Sequence, residues 1–228
     1  MLTIVIPVHN QKKEMVKTVE KLSEMLRNYG IVYEIIIAED GSTDGSYEVG
    51  KKLSKKKNIR LTHRYHKSGK GAAIKRAAKI ASYKKLVFSD ADMYDHMQKL
   101  KSCIKLLENY DIVIGSRYLK KSKTNRKFSR KLFSYFYNYL VRLIFRTRIK
   151  DHQCGFKAFS TNGINLIKNI ESNGYVFDTE LLVRARNKNL KIKEIPINWS
   201  EKKNTKLHVL KDGIIMFLDV LKLRIKLR

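Results

Sequence analysis

Five short apolar runs, at residues 2–8, 33–38, 59–64, 85–89 and 111–115, alternate with helical patterns through the first half of the chain. The segments between them, 14–28, 46–56, 70–81 and 97–109, are each long enough to carry the chain back as a crossover helix. Strands connected this way pair in parallel, because a parallel neighbour cannot be reached by a tight hairpin. The pattern predicts an α/β fold with a mainly parallel central sheet flanked by helices. In open sheets of this kind ligands lie beyond the carboxyl ends of the strands. Polar motifs follow the runs at those positions: His9-Asn10 after the first, Glu39-Asp40-Gly41 after the second and Asp90-Ala91-Asp92 after the fourth.

A chain of 228 residues with 43% hydrophobic side chains is long enough for one such domain with a full core. It has no internal repeat and no low-complexity linker, and proline occurs only at Pro7 and Pro196. We read residues 1–206 as a single domain and 207–228 as a basic amphipathic tail. Within the domain, 118–150 forms a basic amphipathic segment. Its stretch 120–150 holds eleven Lys or Arg and no acidic residue, interleaved with apolar side chains such as Phe133, Phe136, Leu140 and Leu143 at helical spacing. Residues 192–199 read as one further strand, and Leu210, Ile214, Phe217, Leu218 and Leu221 repeat as one face of a last helix.

The 49 basic against 21 acidic side chains leave a formal charge of +28, beyond what solubility needs, which implies a polyanionic partner or surface. Nucleic acid and anionic lipid both qualify. No standard nucleic-acid-binding motif is present, so no specific nucleic-acid partner is expected. Cys103 and Cys154 have neither disulfide-framework nor zinc spacing. The first apolar run is too short for a signal peptide, and Lys or Arg interrupts every later one before a membrane span accumulates. These features predict a peripheral protein on the cytoplasmic face of a membrane, with the amphipathic segments lying in the interface. A partner membrane protein, a homodimer through the last helix, or packing of that helix within the chain are the alternatives for the tail.

Asp90 and Asp92 place two hard oxygen ligands in a short turn directly after the apolar run Leu86-Val87-Phe88. Such a pair suits Mg²⁺ or Mn²⁺, which in turn neutralises a diphosphate leaving group. Asp40 is placed to accept a hydrogen bond from a base N–H, and Gly41 lets the backbone approach a ligand closely. Structural capping is a sufficient account of Asp44. The run Lys67-Ser68-Gly69-Lys70-Gly71 lacks the spacing and the trailing Ser or Thr of a Walker A loop, yet a basic, glycine-lined helix start beside a diphosphate fits Lys70. No GxGxxG follows the first run, which argues against a dinucleotide-binding dehydrogenase.

The stretches IVIPVHNQKKEM, EIIIAEDGSTDGS, GKGAAIKRA, VFSDADM and GSRY, in this order and spacing, resemble glycosyltransferase family 2 with the GT-A fold. The resemblance implies an inverting enzyme that takes a nucleotide sugar. It assigns Pro7, Asn10, Glu14 and Asp40 to the nucleoside and Asp90, Ala91 and Asp92 to the metal motif, with Asp92 the direct ligand. Within the family, DHQCGFKAFS, GYVFDTELLVRA and EIPINWSEKKNTK are similar to polyprenyl-phosphate sugar transferases, especially those making dolichyl-phosphate glucose. That implies a hexose, glucose from a UDP-sugar, moving to dolichyl or another polyprenyl phosphate. Mannose from a GDP-sugar and a saccharide acceptor are the alternatives. Arg130 and Ser134 match an element that such relatives place near the lipid phosphate.

A phosphate monoester needs little help to act as a nucleophile near neutral pH, since its second pKa is about 6. What remains for the protein is to hold two repelling phosphates in line. Arg117, Arg130 and Lys206 are the candidates, with Arg126 behind them. Asp151 is expected to orient or polarise groups at the reaction centre and Gln153 to contact the donor. Asp178 and Glu180 are expected to order nearby basic residues or water. Cys154 reads as a small buried side chain without a base to activate it.

Overall fold

The computed structural model describes residues 1–91, 99–125, 128–200 and 209–227. The predicted alternation is present: β1 (Leu2–Val8), α1 (Lys12–Asn28), β2 (Tyr33–Glu39), α2 (Ser46–Leu53), β3 (Ile59–Thr62), α3 (Lys70–Ile80), β4 (Leu86–Ser89), α4 (Leu100–Leu106) and β5 (Ile112–Ser116). The second half adds β6 (Lys123–Asn125), α5 (Phe128–Phe145), β7 (Phe156–Phe159), α6 (Thr161–Lys168), α7 (Phe177–Asn187), β8 (Ile192–Pro196), β9 (Asn198–Ser200) and α8 (Val209–Lys226).

Seven strands form one sheet in the order β3-β2-β1-β4-β7-β5-β8. Every pairing is parallel except those of β7, which runs antiparallel between β4 and β5. The strands are nearly continuous apolar runs because both faces of the sheet are covered. On β1, Ile4 and Ile6 enter the core beneath α1, α2 and α4, while Val5 faces the core beneath α3, α6 and α7. The single strand expected over 192–199 is two: the chain turns at Ile197, and β9 leaves the main sheet to pair with β6.

β2 and β4 lie on opposite sides of β1, which makes the gap between β1 and β4 the switch point of the sheet. Pro7 widens it. The β1–β4 register runs only from Thr3↔Leu86 to Val5↔Phe88, whereas β1 stays paired to β2 as far as Val8↔Glu39. A proline has no N–H to give a ladder, so it sits where one neighbour has already departed.

A third apolar cluster joins α5, α7 and α8, with Tyr137, Val141 and Phe145 against Met216, Val220 and Leu223. The last helix therefore packs within the chain. The stripe that it buries is not the one expected from its spacing, since Phe217, Leu218 and Leu221 stay on the exposed side. On α5, Phe136 likewise points outward and Phe133 packs against the third cluster. No described helix is long and apolar enough to cross a membrane.

Candidate active site

The carboxyl ends of β1, β2, β4 and β5 form one rim, and the antiparallel β7 brings its amino end to the same place. Ser89 lies opposite Phe156 and Ile114 opposite Lys157, so the loop 151–155 is delivered beside Asp90. The Asp90 N–H donates to the Gly155 carbonyl at 3.2 Å.

Two loops are tied together at the β1–β2 end. Asn10, held at φ 54°, receives the Thr43 N–H on its side-chain oxygen at 2.7 Å, and its own N–H donates to the Ser42 hydroxyl at 3.0 Å. Asp44 accepts from the Lys12 N–H and caps the start of α2 through the Ser46 N–H, each at 3.0 Å, which confirms its structural role. The buried Asp40 accepts the N–H groups of Ser68 and Gly69 on Oδ2, at 2.9 and 2.7 Å. Its Oδ1 is buried and has no hydrogen-bond partner among the described residues, with the Arg76 guanidinium 3.8 Å away. A buried charged oxygen without a partner is costly and suits a ligand donor.

Glu39 is fully buried, accepts the Ser42 N–H at 2.6 Å and pairs with His63. Burial alone would raise its pKa, but the Ser42 bonds and His63 outweigh that and keep it low. Arg76 binds the Glu39 carbonyl at 2.5 Å and the Thr62 hydroxyl at 2.8 Å, locking α3 to the β2 end. Sequence reading passed over Arg76, because an arginine in a basic helix looks like a surface cation. Glu14 stands half-buried in the first turn of α1, and Pro7 is buried on β1.

At β4, Lys70 donates to Asp90 Oδ1 at 2.7 Å and lies 3.8 Å from Asp178. Burial works against the charge on Lys70, but these two carboxylates outweigh it and raise its pKa. Ala91 is buried, and its carbonyl accepts the Thr18 hydroxyl of α1 at 2.5 Å, so it fixes the motif's backbone. The Asp90 carboxylate is about one-third exposed at the rim and offers a hard oxygen donor of the type a divalent cation needs. Asp92, Arg126 and Lys206 lie outside the described residues.

At β5, Arg117 grips the fully buried Asp151 with Nε and Nη2, at 2.6 and 2.7 Å, and with its own N–H at 3.0 Å. Both oxygens of Asp151 are thus occupied by Arg117. Burial would raise its pKa, yet the guanidinium holds it below the usual carboxylate range. Gln153 is half-buried in the same loop. Ser134 is buried on α5 and receives the Tyr118 hydroxyl at 2.6 Å, while Arg130 stands half-buried one turn earlier. Burial, followed by the Asp151 charge, pushes the Cys154 thiol up to about 12, which leaves it inert as a nucleophile.

Asp178 and Glu180 do order basic residues. Asp178 accepts from Lys157 at 2.5 Å, and Glu180 accepts from Arg184 at 2.6 Å and from the Ser172 N–H at 2.8 Å. Lys157, fully buried in a strand, had no sequence signal beyond its place in the stretch 151–160.

Residues 3–167 match the profile of glycosyl transferase family 2. The chain belongs to that family. Its curated relatives include glycosyltransferase AglD of Haloferax volcanii, 33% identical over 97% of this chain and 36% of that protein. This chain thus spans about a third of AglD. They also include dolichyl-phosphate beta-glucosyltransferase ALG5D of Trichomonas vaginalis, 32% identical over 98% of this chain and 73% of that one. The corresponding Saccharomyces cerevisiae enzyme is 29% identical, over 98% and 74%. Among solved structures, glucosyl-3-phosphoglycerate synthase of Mycobacterium tuberculosis, with Mn²⁺, UDP and product, superposes with a TM-score of 0.73 at 19% identity. That match covers 98% of this chain and 79% of the other and bears out the GT-A-type fold of this glycosyltransferase.

Proposed function

We propose that the protein transfers a hexose, glucose from UDP-glucose, with inversion onto dolichyl or another polyprenyl phosphate at a membrane surface. The observation that carries this reading is the spacing of charge along the rim. Asp40 offers a lone carboxylate oxygen at one end, Asp90 and Lys70 sit at the middle, and Arg117 directly follows β5 across the inserted β7.

Asp40 Oδ1 accepts the imide N–H of a uracil base, and Asn10 and Glu14 border the nucleoside. Pro7 holds open the crevice below it. Asp90 and Asp92 hold the divalent cation, Mg²⁺ or Mn²⁺, which when bound neutralises the diphosphate as a leaving group. Lys70 adds a cation on the diphosphate side. Arg117, held flat by Asp151, presents its remaining donors to the acceptor phosphate, assisted by Arg130 and Lys206. Gln153 contacts the donor sugar, and Ser134 orders the Tyr118 side chain beside Arg117. With a phosphate oxyanion as nucleophile no side-chain base is required.

Support for a lipid acceptor comes from two directions. The relatives at 32 and 29% identity, matched over 98% of this chain, carry the name dolichyl-phosphate beta-glucosyltransferase. α5 also exposes Phe128, Leu132, Tyr135, Phe136, Tyr139 and Leu143 along a strongly basic segment, as an interfacial helix does. A second reading, transfer to a small soluble phosphate, is favoured by the similar glucosyl-3-phosphoglycerate synthase, solved in complex with glucosyl-3-phosphoglycerate and with phosphoglyceric acid. A mannosyl donor from GDP-mannose and a saccharide acceptor complete the alternatives. The deciding experiment is a donor-by-acceptor screen with organic extraction and mass analysis. A hexosyl-phosphoryl-prenol formed only with divalent metal and polyprenyl phosphate supports the proposal, and a water-soluble product alone refutes it.

A further inference from the structure

Four charges of alternating sign run from the core to the rim. Lys157 is fully buried on β7, where its ammonium donates to the Cys154 carbonyl at 2.6 Å and to Asp178 Oδ1 at 2.5 Å. The other oxygen of Asp178 lies 3.8 Å from the Lys70 ammonium, which reaches Asp90 at 2.7 Å. Both lysines also lie over the Phe88 ring, 5.5 and 5.4 Å from its centroid. A buried ion pair is a poor way to gain stability, since apolar residues of the same volume serve as well or better. The arrangement instead fixes Asp178 at a set distance from Lys70. Lys70 is then shared between two carboxylates, close to one and within reach of the other.

We propose that Lys70 is the resident counter-cation of Asp90, and that it exchanges onto the donor diphosphate when a divalent cation takes that carboxylate. Lys157 and Asp178 are the positioning pair that keeps it at the rim. This rests on the donor reading above. The diphosphate of a nucleotide sugar carries two negative charges, which a divalent cation cancels. Breaking the bond to the sugar leaves a third charge on the departing diphosphate, and Lys70 is the cation placed to meet it. Its contribution therefore grows in the transition state and is small in the ground state. Without a donor, the same ammonium competes with the metal for Asp90.

That competition gives a sign no passive ion pair predicts. Mn²⁺ binding without nucleotide is measured by the electron paramagnetic resonance of the free ion, on wild type, Lys70→Met, Lys70→Arg and the double variant Lys157→Met/Asp178→Asn. The Lys70 side chain is about one-third exposed, and a thermal melt of each variant checks that the fold is retained. The expected result is Mn²⁺ binding about 3-fold or more tighter in Lys70→Met, with kcat for transfer lower by roughly 100-fold and donor KM within about 3-fold. Lys70→Arg restores part of kcat. The double variant removes the second carboxylate without stranding a buried charge, so Lys70 settles on Asp90 and Mn²⁺ binds more weakly. Unchanged or weaker Mn²⁺ binding in Lys70→Met overturns the proposal, as does a wild type that binds no Mn²⁺ without nucleotide. A wild type that transfers no sugar, with Lys70→Met still binding Mn²⁺ more tightly, sinks the transferase assignment of donor and acceptor and supports the exchange at Asp90.

Discussion

The guanidinium of Arg117 meets the carboxylate of Asp151 edge to edge, with Nε to Oδ2 at 2.6 Å and Nη2 to Oδ1 at 2.7 Å, across 34 residues of chain. The pair welds the end of β5 to the loop entering β7, so this arginine at the rim has a fixed plane. Asp151→Asn keeps the shape but loses the charge, leaving a buried cation uncompensated at a cost of about 3–5 kcal/mol. The pH dependence follows from the lowered pKa of Asp151. Because the folded value lies below that of the unfolded chain, the pair's stabilisation is complete above about pH 4 and is lost as pH falls further. Urea midpoints at pH 7 and pH 3.5 should show a smaller acid drop in Asp151→Asn than in the wild type.

Much of this arrangement could be read from sequence where a rule tied residue type to place. β1, β2, β4 and β5 announced themselves as apolar runs, and the rim followed from polar motifs at their ends. β7 did not. It is four residues long and contains Lys157, which the exposure habits of lysine assign to a surface. Without that strand, nothing in the linear pattern sets Gly155 beside Asp90 or joins Lys70 to a buried ion pair. Arg76 was hidden for a related reason, since its partners are backbone and side-chain atoms of β2 and β3, far away in sequence. On α8 two adjacent apolar stripes are available in the sequence, and packing on α5 selects the one carrying Met216, Val220 and Leu223.

His152 supplies a second acid response in a different window. It is buried, its ring pairs with Asn138 and Thr147, and burial pulls its pKa down to about 3 despite the opposing Asp151 charge. The unfolded chain takes up this proton near pH 6.5 while the folded one resists to about 3, so stability falls as pH drops between these values. His152→Gln is expected to flatten the stability profile between pH 6.5 and 4.5 by about one proton's worth of slope. Denaturant titrations at half-unit pH steps measure it directly.

Gly69 precedes α3 in a backbone conformation that favours glycine. It holds φ 101°, its N–H serves Asp40, and a Cβ placed there would clash with the Asn173 carbonyl oxygen. Gly69→Ala combines a left-handed strain with a backbone clash, and should cost about 1–3 kcal/mol. It also disturbs the amide pair on Asp40, so donor affinity should fall with stability. Nucleotide binding by calorimetry alongside a thermal melt tests both.

Asp40 separates donor recognition from folding more cleanly. Asp40→Asn can keep both backbone contacts, since one oxygen accepts them, but its amide nitrogen replaces the other buried carboxylate oxygen with a group that donates where a base N–H needs an acceptor. Losing a charged hydrogen bond of this kind is worth about 1.5–3 kcal/mol, or roughly 10- to 100-fold in nucleotide affinity. An Asn variant that binds UDP as tightly as the wild type would remove Asp40 from the base site.

The outward face of α5 makes the last distinction, between a surface that dissolves and one that docks. Leu132, Phe136 and Leu143 are 59, 59 and 64% exposed, so Leu132→Ser/Phe136→Ser/Leu143→Ser removes little folded-state packing and should leave the melting temperature nearly unchanged. If this face enters the headgroup boundary, each side chain contributes about 1 kcal/mol or more there. The triple variant should then bind anionic vesicles at least roughly 100-fold more weakly, as read by co-sedimentation with phosphatidylserine-containing liposomes. Raising salt should weaken the wild type as well, because Lys131 and Arg142 on α5 and Arg146 and Arg148 just after it carry positive charge whose attraction to anionic headgroups is screened. Vesicle binding that is equally strong in the triple variant and abolished by salt alone would mean that charge carries the association and the apolar face takes no part.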